Sequence, residues 1–176
     1  ITTTMRDQAI AECQFLRALA YFRLTCLFGD VPYYDESWNL SETFSDMGLE
    51  PSSAADVRTK CINDLTSAIN VLPDSWPAAN YGRATKTAAY AIRGKIKLYG
   101  GDNAGAISDF EWVVNNGLSG TTKVALDPSY RSLFRVFNGG RSPEMIFSIQ
   151  NSNVDGMATT TLMGNKASLR QIPTDR

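Results

Sequence analysis

The sequence contains no histidine and only three cysteines. Without histidine, the chain lacks the side chain that most often serves as a general base and as a ligand for transition metals. The cysteines are odd in number and have no C-x-x-C spacing, which argues against a disulfide framework and against a metal or redox motif. All of them fall on apolar faces of predicted helices, so we interpret them as small buried hydrophobic residues. They are Cys13, Cys26 and Cys61.

An excess of one charge and a long apolar run are also missing. Lysine and arginine number 17 against 18 aspartates and glutamates, so nucleic acid is not an expected partner. No apolar stretch approaches the roughly 18–20 residues that span a bilayer. Glycine-rich phosphate loops, nucleophile elbows and metal-ligand clusters are absent as well, so no cofactor or metal is expected. The hydrophobic content of 43% is typical of a globular protein with one substantial core.

The most informative segment is AECQFLRALAYFRLTCLFGDVPYYD, residues 11–35, which predicts a long helix followed by an aromatic loop. Two apolar stripes run along this helix at helical spacing, so we expect it to be covered on most sides. The stripes are Ala9, Cys13, Leu16, Ala20, Leu24 and Leu27, and Phe15, Ala18, Leu19 and Phe22. Gly29 suits the conformation that ends a helix, and Pro32 cannot continue one.

Four helices are predicted in all. Their expected ranges are about 6–28, 54–72, 84–99 and 103–116. Ser53 is the expected N-cap of the second helix, with Asp56 in the capping-box position, and Asp102 is the expected cap of the fourth. The connection at 30–52 is far longer than the ~2–8 residues typical between helices, which indicates a functional or a disordered insertion.

The third and fourth helices have the spacing of a tetratricopeptide unit. The matching positions are Tyr90, Gly94, Gly101, Ala106 and Phe110. Arg93 and Lys97 depart from the usual leucine and tyrosine. Because one such unit cannot bury its own hydrophobic face, we expect the first two helices to stack beside it as a second antiparallel pair.

Residues 1–150 are therefore predicted to form an all-α, tetratricopeptide-like region of stacked helix pairs with long loops. A little β-structure is expected toward its end, as a short strand over 145–149. Residues 151–176 are polar, without periodicity, and are interpreted as an irregular and incomplete C-terminal extension.

Several passages resemble the SusD/RagB family of nutrient-binding proteins of Bacteroidetes. They are FLRALAYFRLTCLFGDVPYY, the Leu-Pro at the end of the second helix, GRATKTAA from Gly82, KLYGGD from Lys97, and the Leu-Phe followed by EMIFSIQ toward residue 150. The resemblance extends from about residue 5 to residue 150, and none of its motifs is catalytic.

The resemblance implies a lipid-anchored protein on the extracellular face of the outer membrane. In that family a helical scaffold packs against a SusC-like TonB-dependent transporter, and loops capture an oligosaccharide or polysaccharide for uptake. Family members are longer, with a signal peptide and a lipid-modified cysteine ahead of this region. We therefore expect this chain to be an internal fragment, with membrane contact only through an anchor outside it.

Aromatic residues in the two long loops are the candidate ligand-binding residues: Trp38, Trp76, Tyr34 and Tyr81. A flat indole or phenol can stack on the apolar face of a sugar ring, and aromatic side chains lose little rotamer entropy on binding. The alternative is that some rings fasten the loops to the helices, above all Tyr33 and Tyr34 beside the helix end. Trp112, inside the fourth helix, is interpreted as a core or helix contact.

Two other functions compete with glycan binding. A helical-repeat scaffold that binds a protein or peptide would fit the repeat pattern but would leave the aromatic loop unexplained. A carbohydrate-active enzyme would need two carboxyl groups roughly 5–10 Å apart across the scissile bond. Asp30, Asp35 and Glu36 are close in sequence, but their spacing does not indicate such a pair, so the protein is not expected to be an enzyme. Arg17, Arg23 and Arg83 are interpreted as partners in structural ion pairs.

Overall fold

The computed structural model describes residues 2–37, 50–80, 82–116, 124–131 and 144–149. Within these ranges every regular element is helical, which confirms the all-α prediction. The helices are α1 (Thr3–Phe28), α2 (Ala54–Ile69), α3 (Lys86–Tyr99) and α4 (Asn103–Asn116), with a short 3₁₀ turn at Ala78–Asn80 between α2 and α3. The predicted bounds are correct to within three residues.

Side-chain caps determine where the helices begin. Ser53 Oγ accepts the Asp56 N–H at 3.1 Å, and its own hydroxyl donates to the Asp56 carboxylate, so the predicted cap of α2 is confirmed. Asp102 Oδ1 accepts the Gly105 N–H at 2.9 Å, which confirms the cap of α4. Thr85 caps α3 in the same way, so this helix begins at Lys86, two residues later than predicted.

The helices stack in chain order, with α2 between α1 and α3, and with α4 on the far side of α3. The buried side chains of α1, α2 and α3 form one hydrophobic core, which Leu72 and Tyr33 join from the loops. Its largest fully buried members are Phe15, Val57, Cys61, Leu65, Leu72 and Ile96. This stack is the rigid framework from which the two loops emerge.

The prediction that α1 is covered on most sides is wrong. Its buried residues are Ala11, Phe15, Ala18, Phe22 and Thr25, which all lie on one face. The other stripe, from Ala9 to Leu27, is exposed. The reason is position: α1 is the first helix of the stack and packs almost entirely against α2. Cys13 and Cys26 are consequently exposed, contrary to expectation, whereas Cys61 is buried as predicted.

The α3–α4 pair has the close packing expected of a tetratricopeptide unit. A side chain at Gly94 would come within 2.9 Å of the Phe110 ring, so only glycine allows this approach of the two helices. Tyr90 and Trp112 stack with ring centroids 3.9 Å apart, which confirms Trp112 as a helix contact. Gly101 makes the turn with a φ of 85°.

The departures from the tetratricopeptide pattern have a common explanation. Arg93 and Lys97 both bind Asp109 on α4, which is buried. An ionic cluster thus replaces the apolar contact that leucine and tyrosine would make at these positions.

The short strand predicted over 145–149 is not present in the described segment 144–149. This segment has no strand partner among the described residues and packs by its side chains instead. Phe147 lies edge-on to Phe15, with ring centroids 4.9 Å apart, and Ile146 also contacts the core. The extension predicted at 151–176 lies outside the described residues.

Candidate functional site

The first loop leaves and rejoins the scaffold at a closed neck. Val31 and Ser52 form an isolated antiparallel bridge, with N–H to O distances of 3.1 and 3.0 Å. One residue earlier, Asp30 Oδ1 accepts the N–H of Ala54 at the start of α2, at 2.8 Å. The two ends of the loop are therefore held together beside the start of α2.

An ionic and aromatic cluster fastens the loop to α1 and α2 just after this neck. The Arg17 guanidinium donates to both oxygens of Asp64 on α2, at 2.7 and 2.6 Å, and also pairs with Glu36 of the loop. The Tyr33 hydroxyl donates to Asp64 at 3.4 Å, and its ring lies 4.5 Å from that of Tyr21. The sequence interpretation of Tyr33 as a ring that plugs the loop onto the helices is therefore confirmed.

The electrostatics of this cluster follow from its burial and its shared carboxylate. Burial and the neighbouring Asp64 charge raise the pKa of Tyr33, so the phenol stays protonated at all physiological pH values. The hydrogen bonds to Asp64 outweigh the effect of burial and raise the pKa of Arg17. The hydrogen bond from Arg17 lowers the pKa of Glu36, which keeps that carboxylate charged.

Tyr34, one of the four candidate residues, lies half-buried at the edge of this cluster. Its backbone N–H donates to the Tyr21 hydroxyl at 2.9 Å, which holds the main chain of the loop against α1. Trp38, farther along the loop, lies outside the described residues.

The second loop presents Trp76 on a base formed by the backbone of Ala84 and the side chains of Arg83 and Glu12. The Trp76 Nε1–H donates to the Ala84 carbonyl at 2.6 Å, and the Arg83 guanidinium lies 3.7 Å from the ring centroid. Arg83 in turn donates to both oxygens of Glu12 on α1, at 2.8 and 2.7 Å. With its N–H already bonded, the half-buried indole can offer a ligand its ring rather than a hydrogen bond. Tyr81 lies outside the described residues.

A groove of about 970 Å³ runs along the first half of α1 between the two loops. Glu36 of the first loop and Arg83 of the second both line it, so the structure brings the bases of the loops to one place. Its apolar lining comes from α1: Met5, Ala9, Ile10 and Cys13. Neither Tyr34 nor Trp76 is among the lining residues.

The three carboxylates that the sequence analysis weighed for catalysis, Asp30, Asp35 and Glu36, each have a structural partner. Asp30 holds the start of α2, and Glu36 pairs with Arg17. Asp35 accepts from the backbone and hydroxyl of Ser37, and these bonds lower the pKa of Asp35. Across the described ranges no group of three or more cysteine, aspartate or glutamate side chains is placed to hold a metal ion.

The predicted ion-pair role of two arginines is confirmed, but their partners could not be predicted. Arg17 binds Asp64 and Arg83 binds Glu12, which are 47 and 71 residues away in sequence. One feature of the sequence could have identified Asp64 as an ion-pair partner: it is a charged residue on the apolar face of α2, between Cys61 and Leu65. A buried carboxylate at such a position requires a cationic partner.

Comparison with known proteins assigns the chain to a family. Residues 1–98 match the SusD-like family described as starch-binding and associating with the outer membrane. The chain belongs to the SusD-like family. The resemblance seen in the sequence is thus confirmed over more than half of its length.

Individual SusD-like proteins match over most of this chain. SusD-like protein P2 of Formosa agariphila is 29% identical over 141 residues, which cover 79% of this chain and 26% of P2. A SusD-like carbohydrate-binding protein of Bacteroides fragilis superposes with a TM-score of 0.74 at 29% identity, over 86% of this chain and 28% of that protein.

A further solved structure was determined with a sugar bound. Surface glycan-binding protein A of Bacteroides thetaiotaomicron, in complex with laminarihexaose, superposes with a TM-score of 0.68 at 26% identity. The match covers 84% of this chain and 29% of that protein. This chain therefore spans between a quarter and a third of the length of these SusD-like proteins. No helix in its described part is long and apolar enough to traverse a membrane.

Proposed function

We propose that this chain is part of a surface glycan-binding protein that captures oligosaccharide for a TonB-dependent outer-membrane transporter. The observation that carries the proposal is its membership of the SusD-like family, together with its similarity to a glycan-binding protein solved with laminarihexaose. The protein works on the extracellular face of the outer membrane, held there by a lipid anchor, and binds sugar without cleaving it.

The two long loops form the ligand-binding part of this region in our proposal. Trp38, Trp76, Tyr34 and Tyr81 supply rings that stack on sugar faces. The closed neck of the first loop and the Arg83–Glu12 base under Trp76 support this role, because a platform that is already ordered loses less entropy on binding.

The carboxylates support binding rather than catalysis. A general acid in a glycosidase needs a raised pKa at neutral pH. The pKa values of Asp35 and Glu36 are instead lowered, by hydrogen bonds from Ser37 and Arg17 respectively. Both groups are therefore ionised at neutral pH. Asp35 stabilises a turn through Ser37, and Glu36 forms an ion pair with Arg17.

Affinity electrophoresis with laminarin, xyloglucan and starch in the gel tests the proposal. We expect at least one polysaccharide to retard the protein, and we expect Trp38→Ala and Trp76→Ala to remove most of that retardation. Stacking on an aromatic ring contributes about 1 kcal/mol or more, so each loss corresponds to roughly a fivefold or larger drop in affinity. Trp112→Phe is the matched control, since it changes an indole outside the loops and keeps a ring stacked on Tyr90.

Two further measurements separate the competing functions. Trp76→Phe keeps an aromatic ring beside Arg83 but removes the hydrogen bond to Ala84. If Trp76→Phe still binds the polysaccharide and Trp76→Ala does not, the ring itself is the contact with the sugar. Incubation with the retained polysaccharide should leave its chain length unchanged, and shortened products would show an enzyme. Normal migration in every gel would favour a scaffold for a protein partner.

A further inference from the structure

Trp76 can offer a ligand only one face of its ring. The Arg83 guanidinium lies 3.7 Å from the ring centroid and covers the other face. The indole Nε1–H is already bonded to the Ala84 carbonyl, at 2.6 Å. A ring that is bonded at its polar edge and covered on one side is suited to a single kind of contact, which is the stacking of one sugar residue on the opposite face.

The residue that covers Trp76 is itself held by the helical stack. Arg83 donates from Nε and Nη2 to the two carboxylate oxygens of Glu12, at 2.8 and 2.7 Å. Glu12 lies on α1, and only 19% of its side chain is exposed. A contact at two points fixes the plane of a guanidinium, which a single hydrogen bond would not do. The plane of Arg83 is therefore set by α1, although Arg83 and Trp76 both belong to the second loop.

We infer that Arg83 is a positioning residue for glycan binding, which holds the Trp76 ring in the orientation that stacks on a sugar and does so without contacting the sugar. The inference rests on the proposed function. A loop side chain that is free to rotate loses this freedom when a ligand orders it, and the loss weakens binding. Because the guanidinium is attracted to the ring face, it orders the ring before the ligand arrives.

The same loop contains a second ion pair that serves as a control. Lys86, the first residue of α3, lies 3.7 Å from the carboxylate of Asp74, two residues before Trp76 in the sequence. The Asp74 side chain is 77% exposed, so this pair is a surface bridge of small energetic effect. Its removal takes away a tether of the loop and leaves the stack of Arg83 on the ring intact.

Affinity electrophoresis tests the inference with whichever of laminarin, xyloglucan and starch retards the wild-type protein. Arg83→Met keeps a side chain of similar length but removes the charge and both bonds to Glu12, and we expect the affinity to fall about two- to tenfold. Lys86→Met should leave the affinity unchanged. Retardation of Arg83→Met equal to that of the wild type would overturn the inference. A wild-type protein that none of the polysaccharides retards would refute the proposed function, and this inference with it.

A charge-swapped double variant separates the positioning of the ring from simple tethering of the loop. Glu12→Arg combined with Arg83→Glu restores an ion pair between α1 and the loop, but it sets a carboxylate against the negative face of the Trp76 ring. We expect the affinity of the double variant to stay as low as that of Arg83→Met. Recovery of the wild-type affinity would mean that the ion pair only tethers the loop, and would overturn the inference.

The order of the ring can also be measured without a ligand, from the hydrogen exchange of its indole N–H by NMR. The Trp76 signal is identified by its loss in Trp76→Phe, and the Trp112 signal by its loss in Trp112→Phe. We expect the Trp76 N–H, which is bonded to Ala84, to exchange about two- to fivefold faster in Arg83→Met. The Trp112 N–H should keep its rate. An unchanged rate for Trp76 would show that Arg83 does not hold the ring, and would overturn the inference.

Discussion

Arg17 joins three parts of the molecule through one side chain. It projects from α1, binds Asp64 on α2 with two hydrogen bonds, and holds Glu36 of the first loop. Asp64 has only 10% of its side chain exposed, so the hydrogen bonds from Arg17 replace those that water would otherwise make to its carboxylate. The cluster thus couples the packing of two helices to the placement of the loop that we propose to bind glycan.

Asp64→Asn should therefore be strongly destabilising. The substitution leaves the partly buried guanidinium of Arg17 with only the exposed Glu36 as a carboxylate partner, and we expect the free energy of unfolding to fall by about 3 kcal/mol in urea denaturation. Asp7→Asn is the control, because Asp7 forms an ion pair with Arg6 on the surface and its loss should change stability by less than about 0.5 kcal/mol. Equal losses in the two variants would mean that the Arg17–Asp64 pair adds nothing beyond a surface bridge.

Asp109 should make the stability of the helix stack depend on pH. Burial alone would raise the pKa of Asp109, but the hydrogen bonds from Arg93 and Lys97 outweigh burial and lower it below the usual 3.8. A carboxyl group whose pKa is lower in the folded than in the unfolded protein stabilises the fold at pH values above its pKa in the unfolded chain. This stabilisation is lost as the pH falls through the pKa that the group has in the folded protein. We expect the stability advantage of the wild-type chain over Asp109→Asn to be constant between about pH 5 and 7 and to shrink below about pH 4. Urea denaturation of both proteins from pH 3 to 7 measures it, and an advantage that does not change with pH would contradict the assignment.

At the scale of the helices, short sequence patterns such as caps predict much of the fold. The features that they fail to predict depend on contacts between residues far apart in the sequence. The cap residues Ser53 and Asp102 act within one turn of the helix, so sequence alone locates the starts of α2 and α4. Which stripe of α1 is buried depends on where α2 packs, and two apolar stripes give no means to choose between them. The same limit applies to the candidate site, since nothing near Trp76 in sequence shows that Arg83, held by Glu12, covers one face of its ring.

Gly94→Ala should separate α3 from α4. Alanine normally stabilises a helix relative to glycine, but here the added carbon would lie 2.9 Å from the Phe110 ring and 3.1 Å from Asp109 Cβ. We expect a loss of about 1–3 kcal/mol in unfolding free energy, measured by thermal or urea denaturation. Gly100→Ala is the matched control, because Gly100 has helical φ and ψ and its new carbon would meet only carbonyl oxygens at 3.4 Å. Its stability should stay constant or rise by up to about 1 kcal/mol, and a similar rise for Gly94→Ala would show that the close approach is not required.

At the scale of the whole molecule, the order of the stack predicts a gradient of local stability. α2 has a helix on each side and supplies much of the core, whereas α4 packs against α3 alone among the described helices. Because the outer helix can detach without exposing the core between α1 and α2, its amides should open at a lower free energy. Native-state hydrogen exchange should therefore show slower exchange around Leu65 and Ala68 in α2 than around Val113 in α4. Equal protection in the two helices would mean that the stack unfolds as one unit.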